Sequence, residues 1–296
     1  MSAVLVIRHF GALLLYIYRL GSVFVSADLH CHSVCSDGAT SVKDVVKLAK
    51  LKGLSAIALT DHDTVMGVKE AEHFGSIYGV QIVRGVEISA YDFQRNRLVH
   101  MLCYNYKNPE VFTETFNNIA NSRMNAMEKA MSEITKRFNI DMDMVLELSK
   151  NSATTFKSHI MKALMLAGYT DRVYGELYKE IFDWKTGFAK TKIEYPDVEE
   201  IIKLIHKAGG TAVLAHPTVY DTVPAIPRLI ECGIDGIECW YPRGTKQDTE
   251  VLLEYTKKHN LLRTGGTDFH GFSCGKVNPI GTCTTSQEDL DKLLSR

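Results

Sequence analysis

The chain has 296 residues, 45% of them hydrophobic, which suffices for one large domain or a barrel-sized domain with an insertion. Its 34 basic and 35 acidic residues give a formal net charge of -1, which excludes a strong overall attraction to nucleic-acid backbones or anionic membranes. We therefore expect no long nucleic acid and no stable membrane partner. Seven cysteines, an odd number without a CxxC pair, predict reduced thiols in a cytoplasmic protein.

Residues 1–26 are an apolar leader that Arg8 and Arg19 interrupt, so it lacks the roughly 20 uninterrupted apolar residues of a membrane span. A signal peptide is the alternative, because Arg8 could be its basic residue and "VSA" resembles a cleavage site. Cleavage there would remove most of the strand that precedes Asp28. We favour an extra leader or an upstream translation start, and an export or anchoring role stays open.

Strand and helix patterns alternate over residues 27–107 and again over 192–296. "TSVKDVVKLAKLKG" has helical apolar spacing with a start and a stop signal, and it leads into the strand-like "LSAIALT". Between these parts, residues 108–191 predict an insert made mainly of helices, among them "FKSHIMKALMLAGY". Repeated strand and helix units indicate an α/β fold with a parallel sheet and right-handed crossovers, closed or open.

Nearly every predicted strand ends in, or carries, a residue that can bind a metal. In a parallel α/β barrel the carboxyl ends of the strands open on one face, so distant residues would converge there. Residues i and i+2 of an extended segment point the same way, so His30 and His32 can present two nitrogens to one cation. Imidazole and carboxylate suit zinc, manganese or iron. The candidates are His30, His32, Asp61, His62, Asp63, Glu87, His100, His216, Asp268 and His270.

Five motifs, "DLHCHSVCSDG", "ALTDHDT", "GVEIS", "VLAHP" and "GGTDFHG", resemble those of the PHP (polymerase and histidinol phosphatase) metal-dependent phosphoesterase family. The resemblance runs from about residue 27 to the C-terminus. It implies a distorted (β/α)7 barrel of the PHP type with a mainly helical inserted subdomain. The insert followed by "IIKLIHKAGGTAVLAHP" is similar to the branch that removes the 3′ phosphate of nucleoside 3′,5′-bisphosphates and trims short RNA from its 5′ end.

The resemblance also implies a ligand set. One metal would be held by His30, His32, Glu87 and Asp268; a second would share Glu87 and add His100 and His216; a third would be held by Asp37, His62 and His270. We expect two or three divalent ions, Mn²⁺ foremost, with Fe²⁺, Zn²⁺ or Mg²⁺ as alternatives. His62, Glu87, Asp268 and His270 are the predicted catalytic residues.

Closely spaced metals neutralise phosphoryl oxygens and lower the pKa of bound water, so we predict in-line attack by a metal-bridging hydroxide, without a Ser or Cys nucleophile. Asp61 and Asp63 would orient His62, or else cap a helix near Thr64. Cys31 and Cys35 are interpreted as buried thiols rather than zinc ligands.

Substrate contacts are predicted for basic groups beside the motifs, although solvated surface charge is the alternative for each. Lys157 stands where the similar branch often has Arg, which puts bidentate phosphate binding in doubt. Three aromatic residues, Tyr220, Trp240 and Tyr241, are candidates to stack on a base or to pack in the core. No chemistry is assigned to His9, His73, His206 or His259. The basic-group candidates are Arg84, Lys157, His159, Arg243 and Lys276.

The predicted function is hydrolysis of phosphate monoesters of small nucleotides, with cleavage of short 5′-phosphorylated RNA or DNA oligonucleotides as a variant, and with the helical insert as a lid. Two alternatives stay open. One is a phosphatase for another metabolite such as histidinol phosphate, and the other is a non-catalytic metal-binding module.

Overall fold

Eight strands lie side by side in one curved sheet. The computed structural model describes residues 26–273, 275 and 278–296, so the leader up to residue 25 and Lys276 lie outside the described part. The strands are β1 (Ser26–Cys31), β2 (Ala56–Leu59), β3 (Gln81–Asp92), β4 (Arg97–Tyr104), β5 (Thr211–Leu214), β6 (Gly236–Trp240), β7 (Leu262–Gly265) and β8 (Thr285–Ser286).

The strand order is β7-β6-β5-β4-β3-β2-β1-β8. The sheet nearly closes, because the segment after β7 returns to β1: the His32 N–H donates to the Phe269 carbonyl at 2.8 Å, and Cys31 bridges Phe269 in parallel. The short β8 pairs antiparallel with β1. This architecture confirms the distorted barrel that the sequence predicted.

Strand direction departs from the all-parallel expectation at one place. β1 to β3 and β5 to β7 pair in parallel, but β4 runs antiparallel to both of its neighbours, β3 and β5. Because β4 is reversed, its first half lies at the end of the barrel where the other strands finish. His100 therefore reaches the same face from inside its strand.

Helices pack around the barrel. In the first of them, Val42, Val45, Val46 and Ala49 are buried at helical spacing, and Ser41 caps the start by accepting the Asp44 N–H. The helices are α1 (Val42–Leu51), α2 (Val68–Tyr78), α3 (Thr113–Ile134), α4 (Met142–Ser149), α5 (Lys157–Leu166), α6 (Glu176–Phe182), α7 (Val198–Lys207), α8 (Ile226–Glu231), α9 (Lys246–His259) and α10 (Gln287–Leu294).

The helices α3 to α6 form a core of their own, centred on Met127, Ile134, Ile160, Leu164 and Ile181. These four helices lie within residues 108–191, where the sequence predicted mainly helices, but the sequence did not single out α10, whose N-cap is Ser286. Among the residues that the structure describes, no helix combines the length and apolarity that a membrane crossing requires.

Candidate metal centre

One end of the barrel gathers imidazoles around a single carboxylate. Glu87 lies in β3 and is fully buried. Its Oε2 atom lies 3.2 Å from both His30 Nε2 and His32 Nε2 and 3.1 Å from His62 Nδ1. Its Oε1 atom lies 2.8 Å from both His100 Nδ1 and His216 Nε2. Histidines from four other chain segments therefore meet at the buried carboxylate of Glu87.

Two aspartates and a further histidine complete the cluster. Asp268 Oδ1 lies 3.6 Å from His30 Nε2 and 3.4 Å from His32 Nε2. Asp37 Oδ1 lies 3.2 Å from His270 Nε2, and the His270 ring stacks on His32 with centroids 4.0 Å apart. All nine residues that the sequence predicted as metal ligands thus lie in one cluster.

The cluster is suited to divalent cations because many of its buried polar atoms lack hydrogen-bond partners. Several buried nitrogens and oxygens have no hydrogen-bond partner among the described residues: His30 Nε2, both ring nitrogens of His32, His62 Nδ1, Glu87 Oε2 and Asp37 Oδ1. Buried polar atoms are normally satisfied, so a concentration of unsatisfied ones indicates a missing ligand. Imidazole and carboxylate are the donors that zinc, manganese and iron accept.

Three groups of these side chains have ligand atoms within 4.8 Å of one another. In the order given at the end of this paragraph, the first group has the same four residues as the first predicted metal site. The second group has His62 in place of the predicted His216, and the third group contains the predicted residues and His32. The groups are His30, His32, Glu87 and Asp268; then His62, Glu87 and His100; then His32, Asp37, His62 and His270.

Burial and mutual charge set the protonation of these groups. Burial alone would raise the pKa of Glu87, but His62, His100 and His30 hold that pKa well below its usual range. Burial lowers the pKa of His62 to about 3. For His270, burial is outweighed by Asp37 and Asp268, which raise its pKa to about 10. The cluster thus holds charged carboxylates that are ready to face cations.

The backbone is shaped to present these side chains. His216 and Asp268 have positive φ angles of 24° and 47°, which non-glycine residues rarely adopt. Gly266 lies so close to His30 that a Cβ atom at that position would come within 2.3 Å of the His30 Cβ. Only glycine permits this approach, which explains the second glycine of "LLRTGGTD".

Glu238 in β6 is a site residue that sequence reasoning missed. It is fully buried, its Oε1 lies 3.0 Å from His30 Nδ1, and its Oε2 accepts the His216 N–H at 2.8 Å. Glu238 thereby fixes the ring of His30 with Nε2 facing the cluster, as a supporting carboxylate does for a ligating histidine. The sequence feature that could have indicated its role is a single glutamate inside the strand pattern "IDGIECW".

Both interpretations of Asp61 and Asp63 were wrong. Asp61 accepts hydrogen bonds from the backbone and side chain of Ser33 and from Ser36 Oγ. Asp63 accepts from the backbone and side chain of Ser89 and from Arg123 Nη2 at 2.7 Å. These carboxylates brace the loops beside His62 instead of orienting its ring.

The predicted substrate contacts are only partly brought to the cluster. Arg84 is not among the residues that line the cavities at the cluster; its Nε pairs with Glu72 Oε1 at 2.6 Å on the surface. His159 Nδ1 accepts the Phe156 N–H and closes the first turn of α5, so this nitrogen is not available to a substrate. Lys157 and Arg243 do line cavities at the cluster.

Of the three candidate stacking residues, only Tyr220 lines the cavities, 4.9 Å from the His100 ring. Tyr241 is buried and its hydroxyl bonds Thr218, while Trp240 packs against the barrel core. His73, His206 and His259 are exposed on helices away from the cluster. His9 lies outside the described residues.

Two joined cavities open on the cluster. The larger has a volume of about 720 Å³ and is lined by Asp37, His62, Glu87, Tyr220 and Arg243, among others. The smaller, about 180 Å³, lies between the barrel and the helical segment. It shares Asp37 and His62 with the first cavity and adds Arg123, Lys157 and Ser158. The site can therefore place cationic and hydroxyl donors beside the metal-binding groups.

None of the six cysteines that the structure describes belongs to the cluster. Those in the described residues are all free, and Cys31 and Cys35 are buried. Burial raises the pKa of Cys35 to about 11. Both are interpreted as buried thiols, as the sequence predicted.

Comparison with known proteins agrees with this chemistry. The family model described as PHP domain matches residues 28–212. A phosphoribosyl 1,2-cyclic phosphate 1,2-diphosphodiesterase of Eggerthella lenta is 34% identical over 86% of this chain and 97% of its own length. A 5′-3′ exoribonuclease of Haemophilus influenzae is 30% identical over 84% of this chain and 91% of its own.

A 3′,5′-nucleoside bisphosphate phosphatase of Chromobacterium violaceum is 27% identical over 82% of this chain and 86% of its own. Among solved structures, a metal-dependent phosphoesterase of Bifidobacterium adolescentis superposes with a TM-score of 0.84 at 29% identity, covering 91% of this chain and 95% of that chain. Enzymatic relatives over most of the chain argue against a non-catalytic module. The chain belongs to the PHP domain family, and it is a metal-dependent hydrolase of phosphate esters.

Proposed function

We propose that this protein releases the 3′ phosphate of nucleoside 3′,5′-bisphosphates and, by the same chemistry, removes nucleotides from the 5′ end of short 5′-phosphorylated oligonucleotides. The observation that carries the proposal is the small cavity with cationic and hydroxyl donors beside the cluster. A substrate with one phosphoryl group to be hydrolysed and a second to be held fits that pair of sites.

The second phosphoryl group would be held at the small cavity. Arg123 and Ser158 are both buried, and Arg123 Nη1 and Ser158 Oγ have no hydrogen-bond partner among the described residues. Lys157 lines the same cavity, and burial lowers the pKa of its ammonium group. A buried guanidinium donor with a spare hydroxyl is suited to a phosphate, because hydrogen bonds between charged groups are strong.

The nine predicted ligands would hold two or three divalent ions, Mn²⁺ foremost. When bound, these ions would neutralise the phosphoryl oxygens and supply a water of lowered pKa as the nucleophile. Glu238 holds the Nε2 atom of His30 toward the cluster. The Tyr220 ring lies against His100 and His216 and lines both cavities. Residues 108–191 would act as a lid that selects the substrate.

A second candidate is hydrolysis of a phosphoribosyl cyclic phosphate. It is favoured by the Eggerthella lenta relative, which is 34% identical over most of both chains. Both candidates place two phosphoryl groups on one ribose, so the same two subsites would serve either substrate. Substrate preference, rather than the metal-binding residues, separates them.

The test is hydrolysis by the protein purified with Mn²⁺. Phosphate release is measured on adenosine 3′,5′-bisphosphate, adenosine 3′-monophosphate and histidinol phosphate, and ring opening of a phosphoribosyl 1,2-cyclic phosphate, which by itself releases no phosphate, is followed by phosphorus NMR. A hydrogen bond to a charged group contributes about 1.5–3 kcal/mol, so the bisphosphate should exceed the 3′-monophosphate by about 10- to 150-fold in kcat/KM. Equal kcat/KM for these two adenosine nucleotides would refute the second subsite. Preference for the cyclic phosphate would favour the second candidate.

Three variants separate the roles of the residues. His62→Ala should abolish turnover of every substrate, whereas His73→Ala, on the exposed face of α2, should not change it. Ser158→Ala should lower kcat/KM for the bisphosphate by about 10- to 150-fold, the equivalent of one hydrogen bond to a charged group, and leave the 3′-monophosphate unaffected. Normal rates in His62→Ala would contradict its place in the centre.

A further inference from the structure

A third cavity, about 700 Å³ in volume, adjoins the small cavity on the side away from the metal ligands. We call it the aromatic groove. It runs between the end of β3 and the segment that follows α6, and it shares lining residues with the small cavity but none with the larger one. Its lining includes Tyr91, Phe93, Phe182, Trp184, Lys190 and Lys192.

Alternate residues of β3 place the cluster, the small cavity and the groove in one line. Side chains at positions i and i+2 of a strand point to the same face, and each such step spans about 6.4–6.8 Å. Glu87 lies at the centre of the cluster, Ser89 lines the small cavity, and Tyr91 lines the groove. The groove therefore begins two steps from Glu87, about 13 Å along the strand.

This order decides which end of a substrate can reach the groove. In the proposed function the phosphoryl group to be hydrolysed lies at the cluster, and the 5′ phosphate lies in the small cavity beside Arg123 and Ser158. Lys157, Ile193 and Tyr195 line both the small cavity and the groove. A group attached to the 5′ phosphate can therefore enter the groove, whereas a chain that continues from the phosphoryl group at the cluster cannot.

The entrance of the groove suits a second phosphoryl group. Lys157 Nζ lies 5.2 Å from the centre of the Phe182 ring, so the ammonium group is at the junction of the two spaces. Lys190 and Lys192 also line the groove, against one carboxylate, Glu194. Lysine ammonium groups bind phosphates as point charges, so three of them at one groove favour an anionic substituent over an apolar one.

The groove also presents exposed aromatic rings. Trp184 is 76% exposed and Phe93 is 62% exposed, although large apolar side chains are normally buried. The Phe93 ring lies against Tyr91 with centroids 5.1 Å apart, and Lys185 Nζ lies 4.8 Å from the centre of the Trp184 ring. Such rings provide faces on which a planar group, for example a nucleobase, can stack.

We propose that the aromatic groove binds a planar group joined to the 5′ phosphate through a second phosphoryl group. The enzyme would then remove the 3′ phosphate of nucleotides that carry a 5′-diphosphate ester, such as two nucleosides linked 5′ to 5′. One water is consumed, the bond between phosphorus and O3′ breaks, O3′ becomes a hydroxyl, inorganic phosphate leaves, and the diphosphate linkage stays intact. This inference rests on the proposed function and names a wider substrate class for it.

A kinetic comparison tests the groove as a substrate site. The extended substrate is diadenosine 5′,5′-diphosphate with one 3′ phosphate, and the reference is adenosine 3′,5′-bisphosphate. The Mn²⁺-loaded protein should release phosphate from the extended substrate with a kcat/KM at least equal to that for the reference. Base stacking contributes about 1–3 kcal/mol, so Trp184→Ala should lower kcat/KM for the extended substrate by about 5- to 150-fold and leave the reference unchanged.

The matched control is Leu51→Ala, which removes a similarly exposed apolar side chain on α1 and should affect neither substrate. No phosphate release from the extended substrate, under conditions in which the reference is hydrolysed, would overturn the proposal. Equal rates on the extended substrate for Trp184→Ala and the unaltered protein would overturn it as well.

Tryptophan fluorescence tests binding independently of hydrolysis. The chain has two tryptophans, and Trp240→Phe leaves Trp184 as the only reporter. Diadenosine 5′,5′-diphosphate, which has no 3′ phosphate to lose, should quench the emission of this Mn²⁺-loaded protein. Adenosine 5′-monophosphate should leave the emission unchanged, because it has no group that reaches the groove. An unchanged signal with the diadenosine compound contradicts the proposal.

The outcomes of the two proposals are distinguishable. If the bisphosphate is not hydrolysed but diadenosine 5′,5′-diphosphate still quenches Trp184, the proposed function fails and the groove stands as a binding site. If the bisphosphate is hydrolysed and the extended substrate is not, the groove proposal fails and the function stands. A dimer in sedimentation that Trp184→Ala abolishes would show that a second copy covers the groove, which also overturns the proposal.

Discussion

Glu238→Gln is the sharpest test of how the metal centre is built. The carboxylate is fully buried and both of its oxygens accept hydrogen bonds, one from His30 Nδ1 at 3.0 Å and one from the His216 N–H at 2.8 Å. Glutamine has the same shape, but it has one oxygen and one NH₂ group. One of the two donors must therefore lose its acceptor.

Either orientation of the amide is unfavourable. If the NH₂ group faces His216, two donors meet in a buried place, which costs about 1–3 kcal/mol. If it faces His30, the ring must take the tautomer that carries its proton on Nε2, the atom that points to the cluster. Loss of a supporting carboxylate typically lowers metal affinity or activity by about 10- to 100-fold.

We expect Glu238→Gln to bind Mn²⁺ about 10- to 100-fold more weakly and to unfold at lower temperature. Calorimetric titration with Mn²⁺ and thermal unfolding followed by circular dichroism measure these two quantities. Glu254→Gln, an exposed position on α9, is the matched control. Unaltered Mn²⁺ affinity in Glu238→Gln would refute the supporting role of this carboxylate.

Three further predictions follow from the same geometry. Gly266→Ala should lower the free energy of unfolding by about 1–3 kcal/mol, as overpacking does, because its Cβ would come within 2.3 Å of His30 Cβ; urea unfolding measures it, and an unchanged midpoint contradicts it. Mn²⁺ at 100 times its dissociation constant should stabilise the protein by about 2.7 kcal/mol, visible as a rise in Tm that EDTA reverses; a Tm independent of Mn²⁺ would count against the centre. Arg84→Gln should leave kcat/KM within about twofold and stability within about 1 kcal/mol, because its partner Glu72 is a surface residue; a large loss of activity would restore the discarded substrate role.

Eight of the nine predicted ligands could be found from sequence because each stands in, or just after, an apolar strand pattern, whereas Asp37 and the grouping of all nine came from the resemblance to the PHP family. The strand pattern reveals where a chain segment meets the edge of the sheet, and the motifs supply the residue types.

The direction of a strand relative to its neighbours could not be predicted. Nothing in "RLVHMLCY" distinguishes a parallel strand from an antiparallel one, since alternation is the same both ways. The reversal of β4 therefore became visible only from its pairing with β3 and β5.

Closeness in sequence to a ligand does not ensure closeness in space. Within a strand, side chains alternate between faces. Arg84 lies three positions before Glu87 and so points to the opposite side of β3, toward α2. Asp61 and Asp63 flank His62 and turn away from it. Arg123 and Glu238 were missed because their partners lie 60 and 208 positions away in the chain.

The features that destabilise the metal-free protein lie together at the metal centre, because the fold holds the ligands in place before any metal binds. Asp63, His216 and Asp268 have positive φ angles, and the unsatisfied buried atoms of His30, His32 and Glu87 lie among them. Each such feature lowers the stability of the metal-free protein, by roughly 1–3 kcal/mol per strained residue or unsatisfied group. The surrounding barrel holds them in place through contacts that need no metal, such as the Glu238 bonds and the junction between Cys31 and Phe269. Metal binding would then give the same atoms their partners. The metal affinity is therefore expected to include the free energy that these unsatisfied atoms cost the metal-free protein.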